Sequence, residues 1–260
     1  MIPQISIQQE DYKQNELSRI KYIDSLPHFQ EQLLEIQIGE SNFYNILSGD
    51  IIIGHSIVTK ENRLIEFYLE DQYISICNYI FALVIFDLNI SSIYCKTYNS
   101  LLLNCCLQMN LKYEVVRTLF RDLSKTPAIA INDFPVRSGG MKDLSLLLAY
   151  TDELGMTAEE LEQLINKDYI FLNIDNNELK GCVYICKVHD NWDVYDIGIW
   201  VNPEFRNRGI ATKLFSFIIN YCMENNLPSI CGCAIDNIAS QKILNKNGFV
   251  SKHSLIEFKI

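Results

Sequence analysis

No stretch of this chain is long and apolar enough to cross a bilayer as a helix. The most apolar run, Tyr79–Leu88, falls well short of the ~20 residues required and is interrupted at Asp87. Behind Met1-Ile2-Pro3 stand polar and acidic residues, so a secretory apolar core is missing. Cys-x-x-Cys is also absent, and nine cysteines, an odd number, are scattered from Cys77 to Cys233. Such a pattern reads as reduced thiols in a soluble cytoplasmic protein. The pairs Cys182/Cys186 and Cys231/Cys233 read as small buried strand residues, so no metal site is expected. Two familiar nucleotide loops are missing as well. Lys213 follows Thr212 without the upstream glycine of a P-loop, and no Gly-x-Gly-x-x-Gly occurs.

The chain also has no basic region. Its net charge is −10, and residues 1–126 hold 15 acidic against 10 basic side chains while residues 127–260 hold 17 against 12. An evenly acidic surface argues against nucleic acid and anionic membrane as partners and favours cationic small molecules. With 260 residues and 48% hydrophobic composition there is material for two modest domains with real cores. The polar run Asp122–Pro127 marks the boundary, which gives domains 1–126 and 127–260.

One segment is rich in chemical content. A strand pattern over Val194–Val201 runs through a turn at Pro203 into Arg206-Asn207-Arg208-Gly209-Ile210-Ala211-Thr212, and a helical apolar stripe from Leu214 to Cys222 follows. A glycine-bearing loop that opens a helix leaves several backbone N–H groups without intrahelical partners, aimed at one point. With the helix dipole they suit an anion the size of a pyrophosphate. Gly209 and Ala211 let phosphates come close to the backbone, and Arg206 and Arg208 add charge. A second strand is read at Ser229–Ala234, followed by a helix from Asn237 that stops at Gly248. Asn237 suits an N-cap and Gly248 a left-handed C-terminal cap.

Arg206-x-x-Gly209-x-Ala211 after such a strand resembles motif A of the GNAT acetyltransferases. Asn237-x-Ala239-Ser240 with Gly248-Phe249 resembles their motif B. Within the family the chain is similar to the zwittermicin A resistance acetyltransferase type, through Asp196–Val201, Arg206–Thr212 and Cys233-x-x-x-Asn237. The resemblance implies an α/β (α+β) GNAT fold, a mixed, mostly antiparallel sheet with flanking helices. It implies acetyl-CoA as acyl donor, held by Ile199, Val201, Arg206, Asn207, Arg208, Gly209, Ile210, Ala211, Thr212, Asn237 and Ser240. It also implies direct transfer, in a ternary complex, to the amine of a small polar molecule. Family members place a base on the splayed strand, which points to Asp196, or to its neighbour Tyr195 on the other face. Gly198 in that strand fits either a bulge or close backbone packing. Many relatives carry a tyrosine four residues before the motif-B glycine, and this chain has Leu244 there. That departure keeps a non-catalytic acyl-CoA-binding regulator open beside the enzyme, as does acetylation of peptide N-termini. A monomer and a homodimer are equally compatible with the sequence.

The first half repeats the outline faintly. Strands are expected at Asp50–Gly54, Leu64–Leu69, Ser92–Lys96 and Lys112–Leu119, with helices at Asn78–Leu88 and Ser100–Met109. In this alignment Asn99 falls on Asn237 and Asn110 on Gly248. Glu70-Asp71-Gln72-Tyr73 stands where the phosphate loop belongs, and two acids would repel an anion. Two tandem GNAT-like halves are therefore expected, the first degenerate, with an unrelated α/β cap as the alternative for that first half.

Overall fold

The computed structural model describes residues 4–11, 15–124 and 134–260. The first strand expected of the later half, at residues 128–131, lies outside them. The described chain runs β1 (Ile5–Glu10), α1 (Glu16–Ser25), α2 (Gln32–Gly39), β2 (Asn42–Ser48), β3 (Ile51–Val58), β4 (Arg63–Leu69), α3 (Cys77–Asp87), β5 (Ser92–Lys96), α4 (Ser100–Gln108), β6 (Lys112–Leu123). It continues as β7 (Arg137–Ser138), α5 (Leu144–Leu148), α6 (Thr151–Leu154), α7 (Ala158–Asn166), β8 (Ile170–Asp175), β9 (Glu178–His189), β10 (Trp192–Val201), α8 (Ile210–Glu224), β11 (Ser229–Ala234), α9 (Ile238–Lys246) and β12 (Phe249–Lys259).

Two compact units result. One comprises Met1–Leu119 together with Lys252–Ile260, the other Phe120–Ser251. This division departs from a cut at residue 126 in two places. The end of β6 is built into the second unit, where Phe120 is 1% exposed among Phe215, Ile218 and Phe249. The last nine residues belong to the first unit, where β12 pairs antiparallel with β5 from Leu255↔Lys96 to Lys259↔Ser92. Apolar burial explains the second departure, since Leu255, Ile256 and Phe258 are all buried, Ile256 and Phe258 in the first unit's core.

In the first unit the strand order is β1-β2-β3-β4-β5-β12, over a core that includes Leu64, Phe67, Ile80, Phe81, Ile93 and Leu102. In the second unit β11, β10, β9, β8 and β7 follow one another. One face of that sheet packs on α8 through Val183, Ile185, Leu214, Phe215, Ile218 and Ile219. A further cluster joins Leu172, Leu179, Cys182 and Trp200 to Leu147 of α5 and to Leu161 and Leu164 of α7.

Local signals account for many of the elements. Asn176 and Asn177 both take positive φ, 51° and 60°, as the two-residue β8–β9 hairpin requires. Thr157 and Glu160 form the capping box that starts α7, with Thr157 Oγ1 accepting from Glu160 N at 3.2 Å and Glu160 Oε2 from Thr157 N at 2.7 Å. The repeat shows in matching caps. Asn99 accepts from Leu102 N at the head of α4, and Asn237 from Ser240 N at the head of α9. Both helices are followed by a left-handed residue, Asn110 at φ 54° and Gly248 at φ 94°.

The feature that positions the site is a pair of strands that part. β10 and β11 run parallel and pair only at Tyr195↔Ser229 and Asp196↔Ile230. In the first unit β4 and β5 do the same, at Arg63↔Ser92 and Leu64↔Ile93.

Candidate active site

Hydrogen-bond parity shows which backbone groups of β10 face the opening. Tyr195 N donates to Pro228 O at 2.9 Å on the β11 side, while Asn202 N donates to Lys180 O at 3.1 Å on the β9 side. Strand residues alternate, so Ile197, Ile199 and Val201 direct their N–H and C=O groups toward β11, where pairing has already stopped. Such an edge suits an extended ligand with amide groups. Val201 O is engaged by Arg206 Nε at 3.1 Å.

At the end of β10, Asn202 is 5% exposed and organises the turn. Its Oδ1 accepts from Glu204 N at 3.1 Å, and its Nδ2 donates to Leu179 O at 3.1 Å. Asn207 and Gly209 then adopt left-handed conformations, φ 63° and 78°, which bring the chain into α8. A side chain added at Gly209 would meet nothing of the protein within 4 Å. The glycine is therefore needed for its backbone angle, and the space above it is open. The first paired N–H of the helix is that of Lys213, to Gly209 O at 3.2 Å. Among the described residues the N–H groups of residues 207–212 have no acceptor. Burial of Leu214, Phe215, Ile218 and Ile219 fixes the helix behind them. Arg206 and Arg208 are exposed beside this loop, and Arg208 Nη2 also donates to Glu204 O at 3.2 Å.

Asp196 and Tyr195 part company. Tyr195 is 6% exposed in the core against α8, its ring edge-on to Tyr169 at 5.8 Å. Its hydrogen bond with Tyr169 and its burial push its hydroxyl up to about 12. The structure does not bring Tyr195 to the opening. Asp196 is half-buried and shares its face with Gly198 and Trp200, opposite Cys186, Tyr184 and Cys182 of β9. The Trp200 ring packs against that of Tyr150 at 4.7 Å, tilted by 47°, and so forms a wall.

Gly198 carries no bulge. The β9–β10 register shifts between Trp192 and Tyr195, and it runs without a break from Tyr195 to Val201. The glycine is required because the Tyr184 ring lies across it. A Cβ at 198 would stand 2.0 Å from Tyr184 Cζ and 2.3 Å from its hydroxyl oxygen. Tyr184 was not among the residues read from the sequence. The available signal was the glycine itself, which leaves a gap that a neighbouring strand fills.

Motif-B residues are placed at the far end of the opening. The Asn237 side-chain oxygen is occupied by its cap to Ser240 N at 3.0 Å. Leu244 is 2% exposed in the α8 core, and Cys231 and Cys233 are buried beside it. Burial pushes the Cys186 thiol, on the Asp196 face, up to about 12, so it stays protonated.

Two family models match this chain in tandem, an acetyltransferase (GNAT) domain over residues 11–123 and the acetyltransferase (GNAT) family over residues 144–249. The chain belongs to the GNAT acetyltransferases. It carries two GNAT domains in tandem, and the faint first half is a domain of the same family as the second. An uncharacterized N-acetyltransferase of Bacillus subtilis (strain 168) is 29% identical over 93 residues, 35% of this chain and 55% of the relative. The match thus spans about half the length of that relative. A GNAT acetyltransferase structure from Colwellia psychrerythraea superposes over 98% of this chain and 99% of its own, with a TM-score of 0.90 at 17% identity. A tandem GNAT protein from the clavulanic acid biosynthesis pathway covers 99% and 98%, with a TM-score of 0.64 at 9% identity. At those identities the likeness speaks for the fold. No helix among the described residues is long and apolar enough to cross a membrane, and none of their His, Cys, Asp and Glu side chains form a metal cluster.

Proposed function

We propose that the second unit transfers an acetyl group from acetyl-CoA to the amine of a small polar molecule, by direct transfer in a ternary complex. One observation carries the reading, namely the unpartnered N–H groups of residues 207–212 at the head of α8, next to the free edge of β10. The chemistry of this loop fits a pyrophosphate, since N–H donors, a helix dipole and the guanidinium groups of Arg206 and Arg208 all favour an anion. Ile199 and Val201 would offer main-chain groups to the pantetheine amides, and Asn237 and Ser240 would lie near its thiol end. Bound acetyl-CoA supplies an activated thioester carbonyl.

The chain's own residues do the rest. Asp196 takes a proton from the acceptor's ammonium, or holds the water that takes it, so that the free amine can attack. The same carboxylate attracts a cationic acceptor, in keeping with the net charge of −10. None of the nine cysteines is held in a disulfide, which suits a reducing compartment, so we assign the protein to the cytoplasm. The acceptor class and the likeness to zwittermicin A resistance enzymes rest on Asp196–Val201, Arg206–Thr212 and Cys233-x-x-x-Asn237.

Calorimetry with acetyl-CoA, followed by thiol-release assays across amino sugars, polyamines, amino acids and short peptides, tests the reading. Micromolar binding that disappears in Gly209→Glu, with turnover of at least one amine lost in Asp196→Asn, is expected. Leu244, buried at the position where many relatives carry a tyrosine, favours a second reading, a non-catalytic acyl-CoA-binding protein. Binding without turnover of any acceptor would select it.

A further inference from the structure

The Tyr184 hydroxyl, at the end of a half-buried side chain, is in an unusual position for a strand tyrosine. Tyr184 belongs to β9, yet its ring reaches over the bare Cα of Gly198 on β10. Gly198 is two residues beyond Asp196, the last β10 residue to pair with β11. The end of the ring therefore lies over β10 just where the strands have begun to part. Every other strand side chain would block this path, which gives the glycine a purpose that strand stability alone does not, since an interior glycine weakens a strand.

The Tyr184 side chain is half-buried, and its hydroxyl makes no hydrogen bond to another described residue. Tyr184 packs against the apolar cluster that includes Leu179, Cys182 and Trp200. Burial, with the charges of Asp196 and Glu160 nearby, pushes this phenol well above its ordinary value. It is thus a neutral O–H donor with no acceptor within the fold, facing Gly198, two residues along β10 from the proposed base.

The geometry points to Tyr184 as the hydrogen-bond donor to the thioester of the acyl donor, on its carbonyl oxygen or its sulfur. This inference rests on the acetyl-CoA reading above. As the amine nitrogen bonds to the carbonyl carbon, negative charge gathers first on the oxygen. It passes to the sulfur as the carbon–sulfur bond breaks. Tyr184 would meet that charge with its O–H and keep its proton throughout. The proton that the departing thiolate takes up is the one released from the amine, by way of Asp196 or water. Removing one donor of this kind from a transition state typically costs ~100–1,000-fold in kcat.

The test needs no knowledge of the acceptor. Full-length protein and its Tyr184→Phe variant are titrated with acetyl-CoA labelled with carbon-13 at the acetyl carbonyl. The infrared stretch of the bound carbonyl and the affinity for acetyl-CoA and for CoA are recorded. Because the hydroxyl has no partner in the fold, Tm is expected to stay within ~2 °C, and affinity for CoA to stay unchanged. The carbonyl stretch is expected to move to higher wavenumber in the variant, or acetyl-CoA to lose at least 3-fold in affinity relative to CoA. An identical stretch and identical affinities in both proteins overturn the role of Tyr184 and leave the acetyl-CoA reading standing. If neither protein binds acetyl-CoA, both fall together. Gly198→Ala, which drives the ring off the strand, must reproduce the effect of Tyr184→Phe. If Gly198→Ala binds like the parent, the role is also refuted.

Discussion

Glu66 of the first unit occupies the strand position that Gly198 holds in the second. Each is two residues past the last parallel pair, Leu64↔Ile93 in one case and Asp196↔Ile230 in the other. In the second unit that position is bare. In the first it carries a fully buried carboxylate, bonded by Arg19 Nε at 3.2 Å and Nη2 at 3.0 Å and by Gln30 at 3.1 Å. Arg19 also reaches Glu35 at 2.7 Å, and Lys96, buried on β5, donates to Gln30. The first unit has filled its own splay with charge.

Glu66→Gln is expected to destabilise the first unit by ~3–5 kcal/mol, because it leaves buried cations without their main counter-charge. Urea denaturation measures it. A loss below ~1 kcal/mol would show that the network holds little.

The same cluster sets a pH dependence. His55 is fully buried, with Nδ1 at 2.8 Å from Ser18 Oγ and Nε2 3.7 Å from Glu66, and burial lowers its pKa below the ordinary value. The unfolded chain then binds a proton that the folded one refuses. Stability is therefore lost as pH falls below ~6.5, with a slope approaching ~1.4 kcal/mol per pH unit for one proton. Burial would raise the Glu66 pKa, but Arg19 and Lys96 outweigh it and hold the carboxyl well below its usual range, so Glu66 adds nothing to this window. His55→Asn is expected to flatten the profile between pH 5 and 6.5, as followed by urea midpoints.

At Gly209 two effects separate. Gly209→Ala strains a left-handed residue, at a cost of ~1 kcal/mol, but meets no protein atom. Gly209→Glu adds a carboxylate over the free N–H groups. A drop of at least 100-fold in acetyl-CoA affinity, with a Tm no lower than that of Gly209→Ala by more than a few degrees, is the expected calorimetric result.

Leu244 packs in the core, so a phenol does not fit there. Leu244→Tyr is expected to cost ~1–3 kcal/mol by overpacking and to leave kcat no higher. A faster enzyme would mean that this position opens onto the reacting atoms.

A chain ending at Ser251 lacks the strand that carries Leu255, Ile256 and Phe258. Its first unit is expected to lose its cooperative unfolding transition, because β5 is left with an open edge and the core with exposed apolar surface. Hydrogen exchange of β5 amides in the truncated protein provides the check, and native-like protection there would refute the expectation.

What the sequence determined alone was local. Gly209 needs its left-handed backbone, Asn237 caps by a contact three residues away, and Asn176-Asn177 turns a hairpin. Each of these is decided within one helical turn or one loop, so each could be read from neighbouring letters. Other features had to wait for the folded chain. The pairing of β12 with β5, the passage of Tyr184 over Gly198 and the union of Arg19 with Glu66 and Lys96 join residues far apart in sequence or on separate strands. Strand partners and buried ion pairs are chosen by which surfaces and charges the whole core brings within reach, and no periodicity along the chain records that choice.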